Sequence, residues 1–427
     1  MPSIFSKKVS FERLREIALY FVQTHDADVL LGSAEFPESC KSYIAVNATD
    51  ELILDADAHA EEIAPAIRNF AFKDNNPTIG YVSYECGHTL REVDSLKKRE
   101  YPALHFKKYS IVLVHDAIEE SLEVLCGDTQ SMLEVTTGVE KAGPVPDLTL
   151  PHFLSQTVRM SLEKDAYIDG VAQILEYIRD GLTYQLNLST RFTVPAENLD
   201  PVLWFFALSK HYPAPYYAFF RSCEKMIVST SPELFLRVEN GQVTSEPIKG
   251  TLQFDEYSED LEKRLTSSIK EDSELSMIVD LVRNDISADC KYGSVVVEKH
   301  KSVFAVDNLL QMYSRVRGEL SEDKDCIDLF LDVFPGGSIT GCPKRSSMEL
   351  IEALEPHTRG PYCGSIVLIS GPKDLISSIA IRTAVYDREK NELFYWAGSG
   401  IVIDSDPEAE YFETLAKAGK IIDPEGM

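Results

Sequence analysis

Long apolar runs are missing from this sequence of 427 residues. No stretch approaches the roughly 18 unbroken apolar residues of a membrane-spanning helix, and residues 1–10 lack the apolar core of a signal peptide. These two absences predict a cytoplasmic protein with no membrane partner.

Paired cysteine motifs are also missing. The eight cysteines are scattered without a Cys-x-x-Cys, which argues against a zinc site and against a disulfide scaffold. None stands in the Gly-x-Cys-x-Gly turn that a glutamine amidotransferase nucleophile needs. The glycine-rich stretch from Pro335 to Lys344 is not a Walker A loop, because Cys342 and Pro343 follow Gly341.

Positive charge is in short supply. The net charge of −27 repels nucleic acid and anionic lipid, so we expect no nucleic-acid partner. An anionic small molecule would have to be bound by local basic groups or by a metal ion.

What the sequence does contain is two pairs of glutamates at helical spacing. Glu410 and Glu413 lie on one predicted face with Lys417, and a second pair is Glu271 and Glu274. If the two pairs converge, their oxygens suit Mg²⁺. The alternative is that each pair lines a solvated helix face.

A predicted hairpin at Asn240-Gly241 places Glu233 near Lys249. A three-residue loop opposes Glu233 to Pro247 and puts Lys249 diagonally across on the same face, whereas a two-residue loop separates the two side chains. The three-residue loop is our expectation, and it permits an acid-base pair. A lysine at a strand end can equally be a solvated edge charge.

Helices and strands predicted elsewhere organise the rest of the chain. Residues 11–24 have helical periodicity, residues 80–87 have a strand pattern, and residues 136–151 loosen into a connection. Ser161 is a candidate cap for a helix that ends at Gly181. In the next strand Gln185, Asn187 and Ser189 share one face, which either is a wet outer face or lines a ligand pocket.

Several motifs together carry a family resemblance that covers about residues 155–422 and extends into the N-terminal region. They are Gln185-Leu-Asn187-Leu-Ser189, Ser231-Pro-Glu233, Pro247-Ile-Lys249-Gly-Thr251, Asp280-Leu-Val-Arg283-Asn-Asp285, Pro335-Gly-Gly-Ser-Ile-Thr340-Gly-Cys-Pro-Lys344, Ile381-Arg382-Thr383 and Asp404-Ser-Asp-Pro-Glu-Ala-Glu410-Tyr-Phe-Glu413-Thr. They resemble the signatures of the chorismate-utilising enzymes. The resemblance implies an α/β (α+β) fold of two large packed β-sheets with helices outside, like that of anthranilate synthase component I. Residues 1–150 would form its N-terminal portion, and residues 151–427 the chorismate-binding catalytic portion.

The resemblance also implies a magnesium-dependent site for chorismate. Glu274 and Glu413 would bind Mg²⁺, and Glu271 and Glu410 would hold its waters. The other implied substrate-binding residues are Tyr362, Arg382, Thr340, Gly398, Gly400, Lys417, Gln185 and Gln311.

Two positions distinguish members of the family. Gln185 stands where the water-adding members carry a lysine, which favours ammonia as the nucleophile. Lys249 stands where anthranilate synthases usually carry alanine, as in aminodeoxychorismate synthase component I. The implied chemistry is attack of Lys249 on chorismate with Glu233 as general acid, followed by ammonia and giving 4-amino-4-deoxychorismate, a precursor of 4-aminobenzoate and folate.

One departure keeps other interpretations open. Gln311 occupies the place of a usual histidine, and glutamine cannot shuttle a proton near neutral pH. The alternatives are an anthranilate synthase component I, which releases pyruvate, and a chorismate-binding subunit without turnover. Because the chain lacks an amidotransferase cysteine motif, we expect a separate glutamine amidotransferase subunit to supply ammonia.

Overall fold

Two antiparallel sheets that share one long strand form the body of the protein in this computed structural model, which describes residues 3–126, 129–146, 150, 158–254, 257–306 and 309–422. Helices lie around the sheets: α1 Phe11–Thr24, α2 Ala60–Ala71, α3 Cys86–Arg91, α4 Thr129–Lys141, α5 Lys164–Arg179, α6 Pro201–His211, α7 Glu259–Thr266, α8 Ile269–Ser287, α9 Cys326–Val333, α10 Lys344–Leu354 and α11 Pro407–Ile422. None of these helices has both the length and the apolarity to cross a membrane.

The strands follow one another along the whole described chain. They are β1 Ser3–Lys8, β2 Asp28–Leu31, β3 Lys41–Leu54, β4 Thr78–Val82, β5 Leu104–Asp116, β6 Ser121–Cys126, β7 Arg159–Met160, β8 Gln185–Pro195, β9 Tyr216–Ser222, β10 Lys225–Ser231, β11 Leu234–Glu239, β12 Gln242–Glu246, β13 Ile248–Gln253, β14 Val296–Val306, β15 Leu309–Glu319, β16 Gly341–Cys342, β17 Ser365–Gly371, β18 Asp374–Ile379, β19 Thr383–Asp387 and β20 Glu392–Ile401.

Strand pairing confirms the predicted mixed α/β class. One sheet runs β1-β6-β5-β3-β2-β9-β10-β19-β20-β8, with the short strands β7 and β16 beside β8. The other runs β5-β4-β17-β18-β11-β12-β15, with β13 and β14 also paired to β15. Phe220 and Ile227 of the first sheet and Leu236 and Leu368 of the second lie in one buried cluster, so the sheets pack face to face.

N-terminal strands pair directly with C-terminal ones. Strand β2 pairs with β9, and β4 pairs with β17. The parts before and after residue 150 therefore share both sheets. The boundary itself stays a prediction, and residues 147–149 and 151–157 lie outside the described part of the chain.

Three local predictions were wrong. Residues 80–87 are not one strand, because β4 ends at Val82 and helix α3 begins at Cys86. The loosened stretch from residue 136 begins inside helix α4. Ser161 is not the cap of α5, since Glu163 occupies that position and the Ser161 hydroxyl instead accepts the backbone N–H of Arg191.

The hairpin prediction was wrong about the loop but reached the right register. Glu239 pairs with Gln242, so the loop is the two-residue turn Asn240-Gly241, with both residues at positive φ. A bulge between Leu234 and Arg237 then shifts the pairing by one residue and sets Leu234 opposite Glu246. The bulge turns Glu233 toward the Lys249 side, the outcome that a three-residue loop was expected to give.

Candidate active site

Strands β8 and β20 form one wall of the candidate site. Asn187 is paired with Gly400, and Ser189 with Gly398. Gln185, Asn187 and Ser189 are all buried, which excludes the wet outer face. Among the residues that the structure describes, neither polar atom of the Gln185 amide has a hydrogen-bond partner, and neither does Oδ1 of Asn187. Buried polar atoms without partners are costly, so these groups are suited to a polar ligand.

The amine of Lys249 lies at the centre of the site. A Cβ added to Gly400 would lie 2.7 Å from Nζ of Lys249 and 3.1 Å from Nε2 of Gln185, so both side chains occupy the space that the glycine leaves. Nζ also lies 3.8 Å from Oε2 of Glu274 on helix α8. The Lys249 side chain is only 15% exposed, which excludes the solvated edge charge as its explanation.

Glu271, the other predicted glutamate of helix α8, lies against strand β13 at a bulge after Lys249. Gly250 has a φ of +80°, a conformation that favours glycine, and the register of β13 against β15 shifts between Lys249 and Thr251. A Cβ on Gly250 would lie 3.0 Å from Oε2 of Glu271. Glu271 and Glu274 thus both face β13, as their spacing on one helix predicted.

Glu233 is the buried acid of the site. It is 4% exposed, and Ser338 Oγ donates a 2.8 Å hydrogen bond to its Oε1. Burial raises the pKa of Glu233 to about 7, and this rise is limited by the Ser338 hydrogen bond, the charge of Lys249 and the backbone N–H of Ile248. A carboxyl group that is protonated in part near neutral pH can act as a general acid.

The predicted site residues of helix α11 lie near Gly398 of strand β20. Lys417 Nζ donates to the carbonyl of Gly398 at 3.1 Å and pairs with Oε1 of Glu413 at 2.7 Å. Glu410 is buried and accepts a 2.6 Å hydrogen bond from Ser405 Oγ. Glu410 and Glu413 are therefore engaged by different neighbours, although they lie on the same helix.

The four glutamates do not form a closed metal site in this structure. Within the described ranges, no group of three or more histidine, cysteine, aspartate or glutamate side chains could hold a metal ion. The donors still fit magnesium in their chemistry, because Mg²⁺ requires only one or two protein carboxylates and keeps several waters. The two proposed direct ligands, Glu274 and Glu413, each lie next to a lysine ammonium group, that of Lys249 and that of Lys417. Both carboxylates therefore stand where a positive charge is bound.

The remaining predicted residues have separate surroundings. Thr340 is buried in the loop that crosses β8, where its carbonyl accepts the N–H of Asn187 at 2.9 Å. Gln311 is 3% exposed and opposite Thr251. Tyr362 stacks on Trp396 with ring centroids 6.0 Å apart, while Arg382 lines a small cavity together with Lys417. Their roles toward a substrate stay predictions.

The sequence interpretation gave no role to several groups that the structure places at the site. Ser338 stands within a quoted motif, and its position after two glycines was the available signal. The buried residues Glu355, His357 and Arg359 gave no such signal, because their partners Asn187 and Ser189 are distant in sequence.

Comparison with known proteins identifies the family of the chain. Residues 30–423 match the family described as chorismate binding enzyme. Aminodeoxychorismate synthase component 1 of Bacillus subtilis is 33% identical over 365 residues, covering 82% of this chain and 77% of that protein. An anthranilate synthase component 1 of Haloarcula marismortui is 43% identical over 260 residues, which are 60% of this chain and about half (51%) of that protein.

Solved structures give the same result. Anthranilate synthase component I from Streptococcus pneumoniae superposes with a TM-score of 0.77 at 27% identity, covering 90% of this chain and 92% of that chain. The menaquinone-specific isochorismate synthase of Escherichia coli shares the fold, with a TM-score of 0.74 at 15% identity, covering 95% of this chain and 91% of that chain. The chain belongs to the chorismate-binding enzyme family.

Proposed function

We propose that this protein aminates chorismate at C4 to give 4-amino-4-deoxychorismate, acting as an aminodeoxychorismate synthase component I. The observation that carries the proposal is the buried amine of Lys249, which lies beside Gly400 and Gln185 and on the same side as the protonatable Glu233. An anthranilate synthase of the usual kind has no amine at this position.

The first chemical step joins Lys249 to the substrate. Nζ attacks C2 of chorismate, the two ring double bonds each shift by one position, and the C4–O bond breaks. Glu233 donates its proton to the departing hydroxyl, which leaves as water, and the lysine nitrogen gives up a proton. Burial of Glu233 suits this role because it keeps the acid protonated up to about pH 7.

The second step replaces the lysine by ammonia. Ammonia attacks C4, the two double bonds shift back, and the bond between C2 and Nζ breaks. The proton that the attacking ammonia gives up balances the proton that Lys249 regains with its free amine. The sum of both steps converts chorismate and ammonia into aminodeoxychorismate and water. The product retains the enolpyruvyl group, which is consistent with Gln311, a residue that cannot transfer a proton near neutral pH.

Magnesium would be held by Glu274 and Glu413 through their carboxylate oxygens, with waters held by Glu271 and Glu410. When bound, it would supply positive charge for the ring carboxylate of chorismate. Lys417, Arg382 and Tyr362 would bind the carboxylate groups, Thr340 and the backbone at Gly398 would assist them, and Gln185 and Gln311 would line the ring.

Ammonia would come from a separate glutamine amidotransferase subunit. A glutamine-hydrolysing cysteine needs a thiol whose pKa is lowered. Burial instead raises the pKa of Cys86 and of Cys363 to about 12 and that of Cys290 to about 11. We therefore expect the chain alone to use ammonium and not glutamine.

Mass analysis of the product tests the proposed function. Purified protein is incubated with chorismate, Mg²⁺ and ammonium, and the product and any pyruvate are identified. Aminodeoxychorismate without pyruvate supports the proposal. Anthranilate with an equal amount of pyruvate contradicts it, and so does chorismate recovered unchanged at high ammonium.

Anthranilate synthase component I is the second candidate, and the 43% identical relative favours it. Members of that kind are expected to bind tryptophan. A cavity of about 940 Å³, counting the part open to solvent, lies between β2 and β11 and is lined by Leu30, Tyr43 and Arg237 among others. Calorimetric titration with tryptophan, combined with the product analysis, separates the two candidates.

A third candidate, a subunit that binds chorismate without turnover, is suggested by Gln311.

A further inference from the structure

A fully buried ion pair lies directly behind the β8 wall of the candidate site. Arg359 and Glu355 are each 1% exposed in their side chains. Arg359 donates from Nε to Oε2 of Glu355 at 2.9 Å and from Nη2 to Oε1 at 2.7 Å. This bidentate geometry fixes the plane of the guanidinium group.

The same guanidinium group joins two segments that carry site residues. Nη1 donates to the carbonyl of Ile339 at 2.8 Å, and Nη2 donates to the carbonyl of Asn187 at 2.9 Å. Ile339 directly precedes Thr340, and Asn187 lies on β8 opposite Gly400. Arg359 thus spans the crossing of strand β8 and the loop of residues 335–344.

Glu355 binds the same strand two residues further along, at Ser189. Its Oε1 accepts hydrogen bonds from both the backbone N–H and the hydroxyl of Ser189, each at 2.8 Å. His357 Nε2 lies 3.2 Å from the Ser189 hydroxyl. Arg359 therefore contacts β8 at Asn187, and Glu355 contacts it at Ser189, the next residue on the same face of the strand.

The Arg359 backbone is fixed on its other side. The N–H groups of Arg359 and Gly360 donate to the two carboxylate oxygens of Glu85, at 2.7 and 2.9 Å. The guanidinium carbon lies 4.6 Å from the centre of the Tyr84 ring. These contacts leave the side chain little freedom to follow a displaced strand.

We propose that Arg359 is a positioning residue that sets the distance between strand β8 and the 335–344 loop. Gln185 and Asn187 on the strand and Thr340 and Ser338 on the loop then face one substrate, with Ser338 in turn holding Glu233. The proposal rests on the proposed amination of chorismate. Lysine cannot replace arginine here, because one ammonium group cannot reach two carbonyls and bind a carboxylate in bidentate fashion.

Arg221 offers a matched control far along the same sheet. Its guanidinium also donates to two backbone carbonyls, those of Ala27 at 2.7 Å and Val22 at 2.8 Å. It also lies over an aromatic ring, 4.9 Å from the centre of Phe219. Its partners lie at the end of helix α1 and in the turn after it, and carry none of the candidate site residues.

The experiment compares Arg359→Lys with Arg221→Lys in the full chain. We expect Arg359→Lys to lower kcat/KM for chorismate about 100-fold, the size of effect that a small misplacement of reacting groups causes. Hydrogen exchange should rise in residues 184–190 and 336–341. Arg221→Lys should lose a similar amount of thermal stability, keep the wild-type kcat/KM and show faster exchange only around residues 20–28.

Two further comparisons make the outcome decisive. If Arg359→Lys fails to fold, Glu355→Gln takes its place, because the amide keeps the shape of the side chain and one acceptor oxygen, whereas its NH2 group cannot accept the second hydrogen bond from Arg359, so the bidentate ion pair is lost. Unchanged exchange at β8 and the loop, or an unchanged kcat/KM in the folded variant, would overturn the inference. If the wild-type protein does not aminate chorismate, the proposed function fails, and the exchange data still decide whether Arg359 joins the two segments.

Discussion

The amine of Lys249 lies 3.8 Å from Oε2 of Glu274, across the gap between strand β13 and helix α8. Both side chains are largely buried, at 15% and 13% exposure. The proposed nucleophile and a proposed magnesium ligand therefore share one contact. A metal ion and the lysine compete for the same carboxylate, so changes to Glu274 should affect metal binding and amination together.

Removing the charge of Glu274 should weaken magnesium binding. We expect Glu274→Gln to raise the Mg²⁺ concentration required for half-maximal amination at least about tenfold, since an amide is a poorer ligand than a carboxylate. Chelation with EDTA should abolish the wild-type activity, and added Mg²⁺ should restore it. Titration of activity against Mg²⁺, with calorimetry as a check, measures the effect.

Asp272 supplies the control for this prediction. It lies on the same helix and pairs with Lys301 at 2.6 Å rather than with a site residue. Asp272→Asn should leave the magnesium requirement unchanged. An unchanged requirement in Glu274→Gln would exclude Glu274 as a ligand.

The acid role of Glu233 predicts a specific pH dependence. Its pKa is raised to about 7, so the carboxyl group is protonated and able to donate below that pH and ionised above it. Glutamine cannot donate the proton at any pH. We expect the wild-type rate to exceed that of Glu233→Gln about 100-fold at pH 6 and the ratio to fall as the pH rises through about 7.

Using the ratio removes the titrations that both proteins share, such as that of ammonia. Initial rates at fixed total ammonium from pH 6 to pH 9 provide it. A ratio that stays constant over this range would show that Glu233 does not act through its proton.

Two glycines of strand β20 should respond differently to the same small change. A methyl group at Gly400 would lie 2.7 Å from Nζ of Lys249, the movable end of a side chain. We expect Gly400→Ala to fold normally and to lose about 100-fold in kcat/KM, because the amine is displaced. Steady-state kinetics and thermal unfolding measure the two effects separately.

Gly398→Ala is the contrasting variant. Its added Cβ would lie 2.4 Å from the carbonyl oxygen of Leu188 and 2.8 Å from Cα of Ser189, so backbone must move. This variant should lose about 2 kcal/mol of unfolding free energy. Full activity in Gly400→Ala would show that the amine does not occupy that space.

Local sequence patterns predicted the features whose causes are local. The spacing of Glu271 and Glu274 placed both on one helix face, and residues 407–422 form the expected helix. The alternation of Gln185, Asn187 and Ser189 put them on one face of one strand. In each case the repeat of the helix or strand decides the direction of the side chains.

Features that depend on distant partners were not predictable in this way. Asn240-Gly241 predicted a hairpin at the right place, but the expected three-residue loop was wrong, because the register is set by a bulge at Leu234 that depends on pairing with β18 as well as β12. The partners of Arg359 lie as far away as Glu85. Helical spacing alone also does not determine that Glu410 accepts a hydrogen bond from Ser405 and does not lie with the other glutamates.

Intact-mass measurement of the acid-quenched protein tests the central claim most directly. After mixing with chorismate and Mg²⁺ without ammonia, we predict a mass increase equal to chorismate less one water, which proteolysis of the quenched protein should assign to the peptide that contains Lys249. The adduct should be absent from Lys249→Ala, which should also lose amination. A Lys249→Ala variant that aminates chorismate at the wild-type rate, with no adduct on the wild-type protein, would contradict the covalent route.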